Sequence, residues 1–254
     1  MGDQQPTEVL PAADAEAGAG PRDAASGAPE EIRDCLALAF DTDDLVDATR
    51  LARELAPWFG VAKIGLELYA AAGPEAVARM TDLGYDVFVD LKMFDIPTTV
   101  EKAARVVGSL GARYLTLHAR DDGPMLRAGA DGFRDGASRA GLEEPIALAV
   151  TVLTSDDGAP PHILPRRVAL AAESGCGGIV CAATDLREAR QIAPRLFTVV
   201  PGIRPSGAAL HDQARPATPR AAIDAGADLL VIGRAVTQAS DHAAAAAALV
   251  AELL

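Results

Sequence analysis

The chain has 254 residues, half of them hydrophobic but only 4% aromatic, with a formal net charge of −13. That length suits one large α/β domain with a sizeable core packed by Ala, Val, Leu and Ile. The acidic balance argues against a nucleic-acid binder or a partner of anionic membranes, and an anionic ligand would need a locally basic pocket.

Residues 1–30 are dominated by Ala, Gly, Pro, Asp and Glu. They cannot bury enough apolar surface to offset their ordering entropy, which predicts a disordered tail ahead of a domain spanning 31–254. Beyond it, apolar runs and helical patterns alternate. The predicted strands are Cys35–Phe40, Val61–Gly65, Val87–Leu91, Tyr114–His118, Ile146–Val152, Gly178–Cys181, Thr198–Val200 and Leu229–Ile232. Helical periodicity falls between them, for example over Asp43–Leu55, Glu75–Leu83, Thr99–Leu110 and Pro165–Ser174. Gly84, Gly111, Gly141, Gly175 and Gly226 stand where helix C-termini are expected. Eight such units in about 220 residues predict a single-domain α/β fold, a closed (β/α)8 TIM barrel. A doubly wound open sheet is the alternative, and the lack of GxGxxG after the first strand lowers a dinucleotide-binding reading.

Cys35, Cys176 and Cys181 form neither a CxxC pair nor an even set. Reduced thiols in a cytoplasmic protein follow. No apolar stretch free of charge reaches membrane-spanning length, and the N-terminus lacks a basic-then-apolar signal pattern.

Barrel chemistry gathers at strand C-terminal ends. The third strand ends in the run Phe88 to Thr99, with Asp90, Lys92 and Asp95 close together and Pro97 stopping any extension. Strand alternation puts Asp90 and Lys92 on one face, a proton-transfer pair in a barrel mouth. The plain alternative is a surface ion pair of little worth. Asp95 lies beyond the strand and must fold back or arrive from a second subunit. Asp41 ends the first strand, Lys63 sits on the second, and Thr151 and Thr154 follow the fifth. His118, ending the fourth, reads as a packed residue rather than a catalyst. Strands seven and eight run into Pro201-Gly202-Ile203-Arg204 and Gly233-Arg234. Glycines beside arginines on adjacent loops make a phosphate cradle, with Gln213 as a neutral donor and 205–215 as a lid.

On these motifs the chain resembles the orotidine 5'-phosphate decarboxylases of pyrimidine biosynthesis, bacterial type, over about residues 35 to 245. The specific elements are Asp90-Leu-Lys92-Met-Phe-Asp95-Ile-Pro-Thr-Thr99, and Pro201-Gly-Ile-Arg204 followed by Asp212-Gln213 and Val231-Ile-Gly233-Arg234. The resemblance implies a homodimer with sites at the subunit interface and no metal or organic cofactor. It implies orotidine 5'-phosphate as substrate and UMP as product. It assigns Asp41 and Lys63 to the ribose and the charged array, and Asp90, Lys92 and Asp95 to catalysis, with Lys92 as proton donor. Asp95 and Thr99 would reach the partner's site, and Thr154 would contact the pyrimidine. Arg204, Gln213, Gly233 and Arg234 would hold the phosphate. Thr98 and Val200 depart from the family pattern, which commonly has Asn and Thr there, but neither is in the charged set. The rivals are a metal-dependent 3-keto-gulonate 6-phosphate decarboxylase or hexulose-phosphate synthase of the same superfamily, and a non-catalytic phosphoribosyl-ligand sensor.

Overall fold

The computed structural model describes residues 27–120, 123–156, 158–205, 215 and 217–254. Eight strands close into a parallel barrel in sequence order: β1 Leu36–Phe40, β2 Val61–Ile64, β3 Asp86–Met93, β4 Tyr114–His118, β5 Ile146–Val150, β6 Gly178–Val180, β7 Phe197–Val200 and β8 Leu229–Ile232. Closure comes from β1 pairing with both β2 and β8, for example Ala37 with Val61 and with Val231. The predicted TIM barrel is the fold.

Alternation along each strand divides the core in two. Inward positions such as Ala37, Ala39, Val61, Phe88, Tyr114, Leu148, Val150, Val199, Leu229 and Val231 fill the barrel. Outward positions such as Leu36, Leu38, Ile64, Val87, Val89, Leu115 and Leu117 pack under the helices. The helices are α1 Glu30–Arg33, α2 Leu45–Leu55, α3 Leu66–Ala72, α4 Pro74–Asp82, α5 Pro97–Ser109, α6 Gly123–Arg139, α7 Ile163–Glu173, α8 Leu186–Ile192, α9 Pro219–Asp224, α10 Arg234–Thr237 and α11 His242–Ala251. Their starts carry recognisable signals. Asp44 caps α2 by accepting from Val46 N and Asp47 N at 2.7 and 3.2 Å, and Asp241 caps α11 through Ala244 N. Pro74, Pro97 and Pro219 sit in first turns, where the missing N–H costs nothing. The five glycines expected at helix ends all adopt positive φ, from 70° to 100°.

The helix before β5 is the least apparent from sequence. α6 carries Gly129, Gly132 and Gly136 in its interior, which lowers helix propensity. Contact with α5 supplies the compensation. A Cβ on Gly132 would run into the Glu101 carbonyl, one on Gly136 into the Arg105 carbonyl, and one on Gly108 of α5 into the Phe133 carbonyl. The two backbones therefore approach as only glycine permits, and Arg105 Nε adds a 2.6 Å ion pair to Asp135.

At the opposite end of the barrel from the strand C-termini, Arg190 of α8 ties β7 to β8. It donates to Asp228 Oδ2 at 2.6 Å, Gly226 O at 2.8 Å and Thr198 Oγ1 at 3.0 Å. The predicted tail falls on residues 1–26, outside the described residues, and on 27–30, where Ala28 N donates to Pro57 O at 2.9 Å. Among the described residues no helix is long and apolar enough to cross a membrane, and all three cysteines are free thiols.

Candidate active site

The site grows out of an irregularity in β3. Val89 pairs with Leu115 of β4 but Met93 pairs with Leu117, so β3 carries two more residues than β4 over that interval. This is a β-bulge, a device that re-aims side chains beside active sites. Lys92 lies within it at φ 49°, the only left-handed residue other than glycine among those described. Lys92 Nζ reaches both Asp90 oxygens, at 2.8 and 3.0 Å. The expected pairing of Asp90 and Lys92 is present, but it passes through a bulge and not through the plain alternation that predicted it. The strand also runs two residues past the predicted end at Leu91.

Around this pair the charges alternate in sign. Lys63 Nζ lies 3.6 Å from Asp90 Oδ2 and 3.5 Å from Asp41 Oδ1, giving the row Asp41, Lys63, Asp90, Lys92 across β1, β2 and β3. Lys63 is buried while Asp41 is exposed. Burial alone would push the Asp90 carboxyl up. The Lys63 and Lys92 charges, with hydrogen bonds from Lys92 and from Thr116, outweigh burial and hold it below the usual carboxylate range. Thr116, fully buried on the inward face of β4, donates to Asp90 Oδ1 at 2.9 Å and accepts from Lys92 N at 2.8 Å. Sequence reading missed Thr116, because a threonine in the apolar run Tyr114–His118 looks like ordinary strand filling.

A cavity of about 130 Å³ opens over the row, lined by Lys63, Asp90, Lys92, Thr154, Phe88 and Pro201 among others. Thr154 thus joins the predicted lysines and acid. Asp41 and Arg234 line a larger cavity of about 460 Å³ between α2 and the α10–α11 pair. Three members of the charged row, Lys63, Asp90 and Lys92, converge on the smaller one. Gly233, just past β8, lies beside Asp41: a Cβ there would lie 3.9 Å from Asp41 Oδ2. Arg204 is nearly buried, its Nη1 donating to Ile203 O at 2.8 Å. Gln213 and most of the predicted lid lie outside the described residues.

Asp95 and Thr99 are not brought to the row within the chain. Both are exposed, and Asp95 Oδ1 accepts from Ile96 N at 2.7 Å. Among the described residues no hydrogen bond or ion pair joins Asp95 to Lys92. The neighbouring Phe94 and Ile96 are 50% and 66% exposed, unusual for large apolar side chains beside a polar mouth. His118 packs edge-on against Phe94 with ring centroids 6.3 Å apart. Burial, then the nearby charges of Arg167, Arg120 and Lys92, push its imidazole below the usual value.

Sequence comparison places this geometry among known proteins. The family model described as "Orotidine 5'-phosphate decarboxylase / HUMPS family" matches residues 34–249. The chain is 46% identical over 232 residues to an orotidine 5'-phosphate decarboxylase of Anaeromyxobacter dehalogenans, covering 87% of this chain and 98% of the relative. It is 46% identical over 234 residues to that of Thermobifida fusca, covering 86% and 95%. Among solved structures, the orotidine 5'-phosphate decarboxylase of Lactobacillus acidophilus superposes with TM-score 0.73 at 31% identity, covering 85% of this chain and 97% of that one. With the match spanning nearly the whole barrel and its charged row, the chain belongs to the orotidine 5'-phosphate decarboxylase / HUMPS family.

Proposed function

We propose that this chain decarboxylates orotidine 5'-phosphate to uridine 5'-phosphate, in the pyrimidine route and in a cytoplasmic setting that suits its three free thiols. The observation that carries the reading is the sign-alternating row Asp41, Lys63, Asp90, Lys92 beside a small cavity. Breaking the bond from C6 to the carboxylate leaves an electron pair in an in-plane orbital of C6, outside the ring's π system. A fixed positive charge where that pair develops lowers the barrier, provided it needs no reorganisation. Lys92 meets the need: its ammonium faces the cavity, stabilises the carbanion, then delivers a proton to C6 and regains one from water. Asp90 and Lys63 hold it charged and oriented. Asp90 also faces the departing carboxylate.

Gly233 and Arg234 are the primary grip on the phosphate, a backbone approach next to a guanidinium fork. Arg204 and Gln213 complete the cradle, with the buried Arg204 acting on its wall. Asp41 and Lys63 take the ribose, and Thr154 the pyrimidine. Remote binding energy from the phosphate serves the step at C6. The exposed Asp95 and Thr99, flanked by exposed Phe94 and Ile96, fit a homodimer in which each turn enters the partner's mouth.

The metal-dependent branch of the family is the second reading. Against it stands Lys63, whose ammonium already lies between the Asp41 and Asp90 carboxylates, where a cation would be held. Loss of orotidine 5'-phosphate absorbance on adding enzyme, undiminished by chelator, is the expected result. Absence of turnover would sink the reading, and turnover abolished by chelator would favour the metal-dependent branch.

A further inference from the structure

We propose that Thr116 is a positioning residue for the reaction, its hydroxyl holding the Lys92 backbone and the Asp90 carboxylate in one fixed relation across the β3 bulge. The inference rests on the decarboxylase reading above. A hydroxyl has one proton and two lone pairs. Here the proton goes to Asp90 Oδ1 at 2.9 Å, and a lone pair accepts the Lys92 N–H at 2.8 Å. Both capacities are spent on the two ends of the Asp90–Lys92 pair.

The location explains why such a bridge is needed. Regular pairing between β3 and β4 stops at Val89 with Leu115 and resumes at Met93 with Leu117. Thr116 is the β4 residue opposite the gap, and it is fully buried. It replaces the missing ladder contact at Lys92, the one non-glycine residue held left-handed among those described. Without the hydroxyl, that amide would have to find another acceptor inside the barrel, and the bulge could relax toward an ordinary strand. The ammonium would then shift relative to the cavity. A misplacement of about 1 Å in a catalytic group costs roughly a hundredfold in rate.

The test compares T116V, which keeps the shape and removes the hydroxyl, with T116S, which keeps the hydroxyl. T116V should lower kcat by roughly ten- to a hundredfold while affinity for uridine 5'-phosphate stays within about threefold. T116S should recover most of the loss. Hydrogen exchange at the Lys92 amide should quicken by about tenfold or more in T116V and return toward wild type in T116S. If T116V does not fold, T116A against T116S reads the same contrast. A kcat for T116V within about threefold of wild type overturns the proposal. So does an equal loss in T116S, or a parallel fall of kcat and nucleotide affinity. Should the wild-type protein fail to turn over orotidine 5'-phosphate, the decarboxylase reading falls, and unchanged Lys92 exchange in T116V would separately remove the bridge.

Discussion

Lys92 reaches Asp90 from a backbone conformation that an ordinary side chain disfavours. A left-handed conformation costs an ordinary L-residue about 1–2 kcal/mol, and glycine nothing. Elsewhere glycine is the less stable choice because it loses more freedom on folding. At position 92 the order should invert. Both K92A and K92G remove the proposed proton donor, so both should fall by roughly a thousandfold or more in turnover while still binding uridine 5'-phosphate. In thermal melts K92G should exceed K92A, by about 1 kcal/mol of stability. Equal stability, or K92A above K92G, would mean the φ of 49° is not a source of strain. Asp90 sets a second residue-scale expectation. Its folded carboxyl titrates lower than it does unfolded. Its contribution to stability is therefore complete above the usual carboxylate value, near 4, and is lost as pH falls through the lower folded value.

At the scale of elements, the eight strands were legible because each is a short apolar run bounded by turns or glycines. Their ends were less so, since β5 stops at Val150 and not at the predicted Val152. What sequence could not show was the local register and close backbone contact between neighbouring elements. The β3 bulge depends on how β3 meets β4, and Val87–Leu91 reads as an unbroken strand until the partner is known. Thr116 matters only because of that bulge. The expected helix end at Gly141 is that of α6, but the reason for Gly129, Gly132 and Gly136 inside it emerges only when α5 lies against them. The predicted meeting of Lys63, Asp90 and Lys92 was legible because strand order in a barrel is sequence order. Gly132 gives the test at this scale. Alanine would raise helix propensity in isolation, but its methyl must displace the Glu101 carbonyl, and overpacking of that kind costs about 1–3 kcal/mol. G132A should therefore lower the melting temperature by roughly 2–10 °C. A rise would show that α5 yields without cost. Because α5 begins at Pro97, the same variant should also disturb the turn that carries Asp95.

At the scale of the whole molecule, the proposed homodimer raises the question of which subunit completes each site. Asp95 is exposed and makes no bond to Lys92 within its own chain. In a symmetric dimer with shared sites, an Asp95→Ala subunit keeps its own proton donor and deprives its partner of a carboxylate. A Lys92→Ala subunit lacks the donor and supplies a sound Asp95. Mixing the two inactive homodimers under exchange should restore one intact site per mixed dimer. With random exchange about half the dimers are mixed, so activity should return to about one quarter of the wild-type level. No recovery, with exchange confirmed by mass, would place Asp95 in its own subunit's site.

The alternation of sign along Asp41, Lys63, Asp90 and Lys92 reaches further than the mouth of the barrel. Two carboxylates and two ammonium groups make a row with no net charge. Its field is that of a multipole, intense at contact distance and fading faster than that of any lone ion. Beyond a Debye length, about 8 Å in physiological salt, what remains of that field is largely screened from solvent-exposed charges. The row therefore adds nothing to the formal charge of −13, which the rest of the chain carries. Solvent-exposed carboxylates farther off than that can be gained or lost with little change at the row, whereas one placed nearer would be felt by Lys63 and Lys92.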